Sequence, residues 1–234
     1  MQVQLINIRT KLFGAEHLDT LRSIAYLAFT YQRQARWAEA EELDIQIINI
    51  KKKILGAEHP NTLRSMEGLA FSYYCLGRWK EAEQLQVQLV DIRIKLFGVE
   101  HLDTLRSMEA LAFTYQEQES WIEADKLQVQ FMNMRTKLFG AEHPDTLRSM
   151  ESLEFSYFNQ GRSKEAEKLQ VQLMDMRTKL SSTEHPDTLR SMQSLAAIYW
   201  HQRRKNEAKQ LQVQIMNIKN KEQKIRVSNH GSTK

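Results

Sequence analysis

The sequence predicts an all-α protein, a solenoid of about five 42-residue helix–turn–helix repeats. Three observations predict it. His17, His59, His101, His143 and His185 recur at a step of 42, as do Thr20, Thr62, Thr104, Thr146 and Thr188, each followed by Leu-Arg-Ser. Inside each unit the apolar residues follow a helical period, not the alternation of a strand. Only eight Gly and three Pro interrupt 234 residues, too few for a fold built from many strands and turns. A helix pair that cannot bury both apolar faces alone buries them against its neighbours, and the result is a stack.

In chain order, residues 1–16 match the end of a repeat, starting inside its second helix. Repeats then span 17–58, 59–100, 101–142, 143–184 and 185–218, and a basic polar tail occupies 219–234. The second repeat shows the plan. Leu63, Met66, Leu69, Ala70 and Tyr73 fall at i, i+3, i+6, i+7 and i+10, one face of a first helix. His59-Pro60-Asn61 precedes them. Pro pushes the residue before it out of helical geometry, and Asn or Thr is expected to cap the first turn. Leu18 and Leu102 replace that Pro in two repeats, so it assists the turn without defining it. Gly77 ends the helix. A second helix begins near Trp79 and runs through Ala82, Leu85, Leu89 and Ile92 to Leu96, where Gly98 stops it. Tyr31, Tyr73, Tyr115, Tyr157 and Tyr199 keep the same step, as do the Glu-Ala pairs from Glu39-Ala40 to Glu207-Ala208.

Composition narrows the function. The net charge of +4 comes wholly from the tail, where Lys219, Lys221, Lys224, Arg226 and Lys234 stand against Glu222. The repeats themselves are balanced, so nucleic acid is not an expected partner. No apolar run approaches the roughly 18 residues that cross a bilayer, and no membrane association is expected. A lone Cys75 cannot form an internal disulfide, which makes the cytoplasm the expected location.

His-Pro-Asp-Thr-Leu, Leu-Ala-x-x-Tyr, a Gly near the turn, Glu-Ala-Glu and Leu-Phe-Gly-x-Glu-His, or close variants of them, keep the 42-residue step, with several of their residues in register across five units. This set resembles the tetratricopeptide repeats of kinesin light chains. It looks closer still to the kinesin-light-chain-like arrays of fungal nucleotide-binding, NLR-like proteins. The resemblance covers about residues 1–220. It implies a right-handed α-α superhelix whose inner surface is lined by the first helices, and a non-catalytic scaffold that binds a protein or peptide there. Kinesin light chains carry an Asn just before the Leu-Ala pair that grips bound peptide. Here those positions are Tyr26, Gly68, Ala110, Ser152 and Ser194. A second departure is Gln86, Gln128, Gln170 and Gln212, where the family usually packs an aromatic ring.

Mapped onto this chain, the groove stripe of the second repeat is Arg64, Glu67, Phe71, Tyr74 and Cys75. Its repeats supply the candidate partner-binding residues. Arg22, Arg64, Arg106, Arg148 and Arg190 form a ladder, with Glu67, Glu109 and Glu151 one turn later. Either these charges satisfy one another as i, i+3 pairs, or the Arg ladder holds a partner's carboxylates by charge-assisted hydrogen bonds. Phe29, Phe71, Phe113 and Phe155 also recur, and cementing neighbouring helices is their expected role. Positions that differ between otherwise alike repeats point to a partner or to unconstrained surface: Arg33, Cys75, Glu117, Asn159 and His201, beside Gln32, Tyr74, Gln116, Phe158 and Trp200. Among them Tyr74, Phe158 and Trp200 are candidate aromatic anchors.

No catalytic residue is expected. The sequence lacks a Gly-rich phosphate loop, His-Glu-x-x-His and Gly-x-Ser-x-Gly. A His-Asp-Ser set repeated in most units is structural, because active sites are singular. The turn histidines cannot share a metal, since equivalent residues of stacked helix pairs lie about 10 Å apart while metal–nitrogen bonds are about 2 Å. No metal or cofactor is expected. A rival reading is an assembly or sensor segment of a larger protein. Val3, Leu5, Ile6, Ile8, Leu12 and Phe13 would lie on a second helix without its partner, an uncapped apolar end suited to self-association or to packing on an upstream domain.

Overall fold

The structure, a computed structural model, describes residues 2–231, with side chains through residue 221. The tail residues Lys224 and Arg226 therefore carry no described side chain, and Lys234 lies outside the described residues. Among the described residues there are eleven α-helices and no strand. They are α1 (Gln2–Phe13), α2 (Leu18–Arg33), α3 (Trp37–Leu55), α4 (Pro60–Cys75), α5 (Trp79–Phe97) and α6 (Leu102–Glu117). Then come α7 (Trp121–Phe139), α8 (Pro144–Asn159), α9 (Ser163–Leu180), α10 (Pro186–His201) and α11 (Lys205–Gly231). The first helices of the repeats are α2, α4, α6, α8 and α10. Residues 219–231 of the tail continue α11.

The chain divides into two compact units, Met1–Leu127 and Gln128–Lys234. Within the first, α2 packs on α3, α3 on α4, α4 on α5 and α5 on α6; within the second, α8 to α11 pack in the same sequential manner. In unit 1, Leu63, Met66 and Leu69 of α4 meet Ile48 of α3 and Leu89 of α5 in one buried cluster, with Tyr73, Leu85 and Ile92 around it. Leu147, Met150 and Leu173 repeat that arrangement in unit 2. The small member of each Glu-Ala pair is fully buried in all five repeats, from Ala40 to Ala208. Any longer side chain there would force the paired helices apart. The second-helix stripe expected to run on to Leu96 stops short, since Leu96 is 40% exposed.

The helix starts differ from expectation. The cap is the histidine, not Asn or Thr: each turn histidine has extended backbone geometry, and its Nδ1 accepts the amide of the residue two further on, at 3.1–3.2 Å. Three of these rings also stack on the Phe four residues before, with Phe97 and His101 centred 4.8 Å apart. The repeated Thr closes the same turn from inside. Thr62 and Thr104, fully buried, donate at 2.9 Å to the carbonyls of Gly56 and Gly98, glycines whose φ of +93° and +85° reverses the chain. At the turn inside each repeat, a left-handed residue is glycine only at Gly77 and Gly161; Ala35, Glu119 and Arg203 take the same conformation with a side chain. The gain is the return hydrogen bond three residues past the helix, such as Arg78 N to Tyr73 O at 2.9 Å. Four arginines just after these turns lie over the repeated tyrosines, Arg78 4.3 Å from the Tyr73 ring and Arg204 4.1 Å from Tyr199. Arg78 also reaches back one repeat to Glu41 at 2.7 Å.

Candidate partner-binding groove

The Arg ladder lies on the solvent side of the first helices. Arg106, Arg148 and Arg190 have side chains 63–71% exposed and turn back to the Asp three residues earlier, at 3.3, 3.8 and 3.2 Å. Arg22 and Arg64 are exposed and make no ion pair among the described residues. The i, i+3 Arg–Glu pairing weighed from the sequence is therefore not what forms at Glu67 and Glu151. Glu67 accepts from Arg93 of α5 at 2.5 Å, and Glu151 from Arg177 of α9 at 2.6 Å. A buried guanidinium has lost its water, so it takes the nearby carboxylate that an exposed arginine can do without. Glu109 lines a groove cavity beside Arg106.

Arg93 and Arg177 belong to a second ladder that sequence reasoning missed. Arg9, Lys51, Arg93, Arg135 and Arg177 sit at the 42-residue step in the second helices and donate to the Ser that follows each Arg of the first ladder. Lys51 Nζ meets Ser65 Oγ at 2.8 Å and the Asn61 carbonyl at 3.1 Å. Arg135 meets Ser149 at 2.6 Å and Arg177 meets Ser191 at 2.7 Å, while Arg93 bonds Ser107. Each bracket ties a second helix to the next first helix. The signal was present as a fixed cation spacing, and the recurrent Ser, read as structural, is its acceptor.

Between α4, α5 and α6 of unit 1 lies a cavity of about 340 Å³, lined by Ala70, Phe71, Tyr74, Arg106, Glu109 and Phe113 among others. In unit 2 a second cavity, of about 530 Å³, is lined by Ala196, Ala197, Trp200, Gln212, Ile215 and Met216. The two are the same surface three repeats apart: Ala70 corresponds to Ala196, Tyr74 to Trp200, Gln86 to Gln212 and Leu89 to Ile215. The phenylalanine ladder is half open, where cement between helices was expected. Phe29, Phe71, Phe113 and Phe155 are 40–60% exposed, although Phe71 also meets Trp37 edge-on at 5.8 Å.

The variable positions pair with each other across repeats. Tyr74 donates to Glu117 at 3.0 Å, and burial together with that carboxylate pushes the phenol up to about 12. Phe158 meets the His201 ring edge-on at 4.7 Å. Of the three candidate anchors, Tyr74 and Trp200 line cavities, and Phe158 is half-buried against its partner ring.

Two buried carboxyls interrupt the pattern. Asp44 takes the place of Gln86, Gln128 and Gln170, residues that are themselves 0–5% exposed. The Gln32 amide donates to Asp44 at 3.1 Å and also to the Gly68 carbonyl and Ser72. Burial, opposed by Lys51 and Gln32, pushes this carboxyl up to about 7, and burial lowers Lys51 in turn. Glu154 stands where other first helices carry Ala, and burial with the nearby Glu151 raises it to about 7. Among the described residues no group of three His, Cys, Asp or Glu gathers as metal ligands would. None of the described helices is long and apolar enough to cross a membrane.

Stacked helix pairs presenting cavities on their first helices define the class of helical-repeat scaffolds. The chain belongs to the tetratricopeptide repeat family, whose model matches residues 20–95, 65–128 and 155–221. It is similar to a protein of Podosopora anserina described as a kinesin light chain with nearly identical TPR-like repeats. That match has 35% identity and a TM-score of 0.79, over 88% of this chain and 98% of the other. A point variant of the same protein matches at 35% identity and a TM-score of 0.78, over 87% and 96%. BtubC of P. vanneervenii shares the fold at 16% identity and a TM-score of 0.74, over 95% and 89%. The chain matches no curated protein. Tetratricopeptide arrays are in general protein-interaction scaffolds without catalytic activity.

Proposed function

We propose that this chain is a non-catalytic, cytoplasmic scaffold that binds an extended or helical segment of a partner protein on its groove face. Arg22, Arg64 and Arg106 in unit 1 and Arg148 and Arg190 in unit 2 hold the partner's carboxylates. Tyr74, Phe158 and Trp200 serve as apolar anchors, and Glu67, Glu109 and Glu151 border them. One observation carries the reading: an exposed Arg106 beside an apolar cavity walled by Phe71, Tyr74 and Phe113. An apolar cleft with a few placed polar groups is the usual form of a binding site. Nucleic acid is excluded from the proposal by the charge balance of the repeats. The test begins with peptides selected on the protein from a displayed random library. Replacing Arg64, Arg106 and Arg148 together by Ala should leave helicity intact and weaken the selected peptides at least tenfold, since each charge-assisted bond contributes roughly 1.5 kcal/mol or more. Unchanged affinity by calorimetry rules the groove assignment out.

A second reading rests on α1. None of its residues is buried, and Val3, Leu5, Ile8, Leu12 and Phe13 are 44–69% exposed. Such a face suits self-association or packing on another domain, as in an assembly or sensor segment of an NLR-like protein. Sedimentation separates the readings: concentration-dependent dimers favour assembly, and a monomer favours the peptide groove.

A further inference from the structure

We infer that the groove face of the fourth repeat is a specificity pocket for a basic side chain, Lys or Arg, of the bound peptide, with Glu154 as its acceptor. The inference rests on the peptide-groove reading above and names what one part of that groove selects.

The other first helices carry Ala28, Ala70, Ala112 and Ala196 at this position, all 1–3% exposed. Two of them, Ala70 and Ala196, line the two groove cavities. Helix α8 presents position 154 in the same register, so the Glu154 chain extends from a groove-lining site. The residue is 9% exposed, and its side chain makes no hydrogen bond or ion pair among the described residues. That is costly for a carboxylate, which normally finds a partner when withdrawn from water.

The neighbouring polar groups are committed elsewhere. Arg177 bonds Glu151 and Ser191, the Gln170 amide donates to the Ser191 carbonyl at 2.7 Å, and Arg190 turns to Asp187. The opposite wall meanwhile carries a smaller side chain. In the unit 1 cavity the next first helix contributes Phe113; the equivalent residue after Glu154 is Ala197. A large ring is thus absent in the one repeat pair where a carboxylate is added. A carboxylate without a partner, facing a position where a methyl stands in place of a phenyl ring, fits an incoming aliphatic chain ending in a cation, which would lie along Phe155 and pair with Glu154.

Random displayed peptides are selected in parallel on the wild-type protein and on Glu154→Ala, a substitution that restores the residue of the other repeats. The wild type should enrich Lys or Arg at one peptide position, and the variant should lose that preference. A selected peptide should then bind Glu154→Ala roughly ten- to hundredfold more weakly, the value of a charge-assisted bond, with Glu154→Gln between the two. Replacing the peptide's basic residue by Leu should abolish the difference between the proteins. Peptides that lose affinity in the triple Arg variant yet show no basic preference, or the same preference on both proteins, overturn this pocket and leave the groove standing. If neither protein selects a peptide, both readings fall.

Discussion

Asp44→Asn should make the protein more stable above neutral pH, an outcome contrary to the usual cost of altering a buried polar residue. Asp44 is 5% exposed, its one hydrogen bond comes from Gln32, and burial holds its carboxyl at about 7 instead of the ordinary 3.8. The folded protein therefore holds this proton more tightly than the unfolded chain does. Stability attributable to the group is complete below about pH 4, falls as pH rises toward 7, and stays low above it. At 1.36 kcal/mol per pH unit the displacement corresponds to about 4 kcal/mol, an upper bound because Lys51 and penetrating water relieve part of the charge. Asn keeps the shape, accepts the Gln32 bond through its carbonyl oxygen and cannot ionise. The variant should gain between about 1 and 4 kcal/mol at pH 8 and less than half as much at pH 5, read from urea denaturation followed by circular dichroism. Glu154, also raised to about 7, gives the wild-type profile a slope of the same sign, so the difference between the two proteins isolates Asp44. Equal stability changes at both pH values, or a loss at pH 8, would refute the reasoning.

Two other outcomes follow from the brackets and caps. Arg177→Ala should cost about 3 kcal/mol, because it strands Glu151 and the buried Ser191 hydroxyl, whereas Arg190→Ala, with a side chain 63% exposed, should stay within about 0.5 kcal/mol. Matching urea midpoints for the two variants would contradict the distinction between the buried and exposed ladders. His101→Ala removes a helix cap and a stacked ring and should lower stability by about 1–2 kcal/mol, with His101→Asn recovering the capping share in thermal melts. No recovery by Asn would mean that the stack on Phe97, not the cap, holds the turn.

The sequence by itself determined the number of repeats, the helix pairs and the buried faces. Those properties are periodic: a 42-residue step aligns His17 with His185, and a helical step aligns Leu63 with Met66 and Leu69, so neighbouring positions report on one another. It also marked Tyr74 and Trp200, through differences inside a repeated frame, and both line cavities. What it could not determine was which charge meets which. Glu67 lies three residues from Arg64 and twenty-six from Arg93, yet pairs with Arg93, because pairing follows burial and α5 brings that guanidinium out of water. The same holds for Gln32, which reaches Gly68 and Ser72 of the next repeat, and for the histidine caps, whose value depends on a turn geometry that spacing alone does not specify. The phenylalanine ladder was legible as a repeat but its half-open setting was not, since periodicity shows that residues share an environment and only packing decides whether that environment is open. Local periodicity is written in the order of residues; the partners of a desolvated charge are chosen by the neighbours that the tertiary stack supplies.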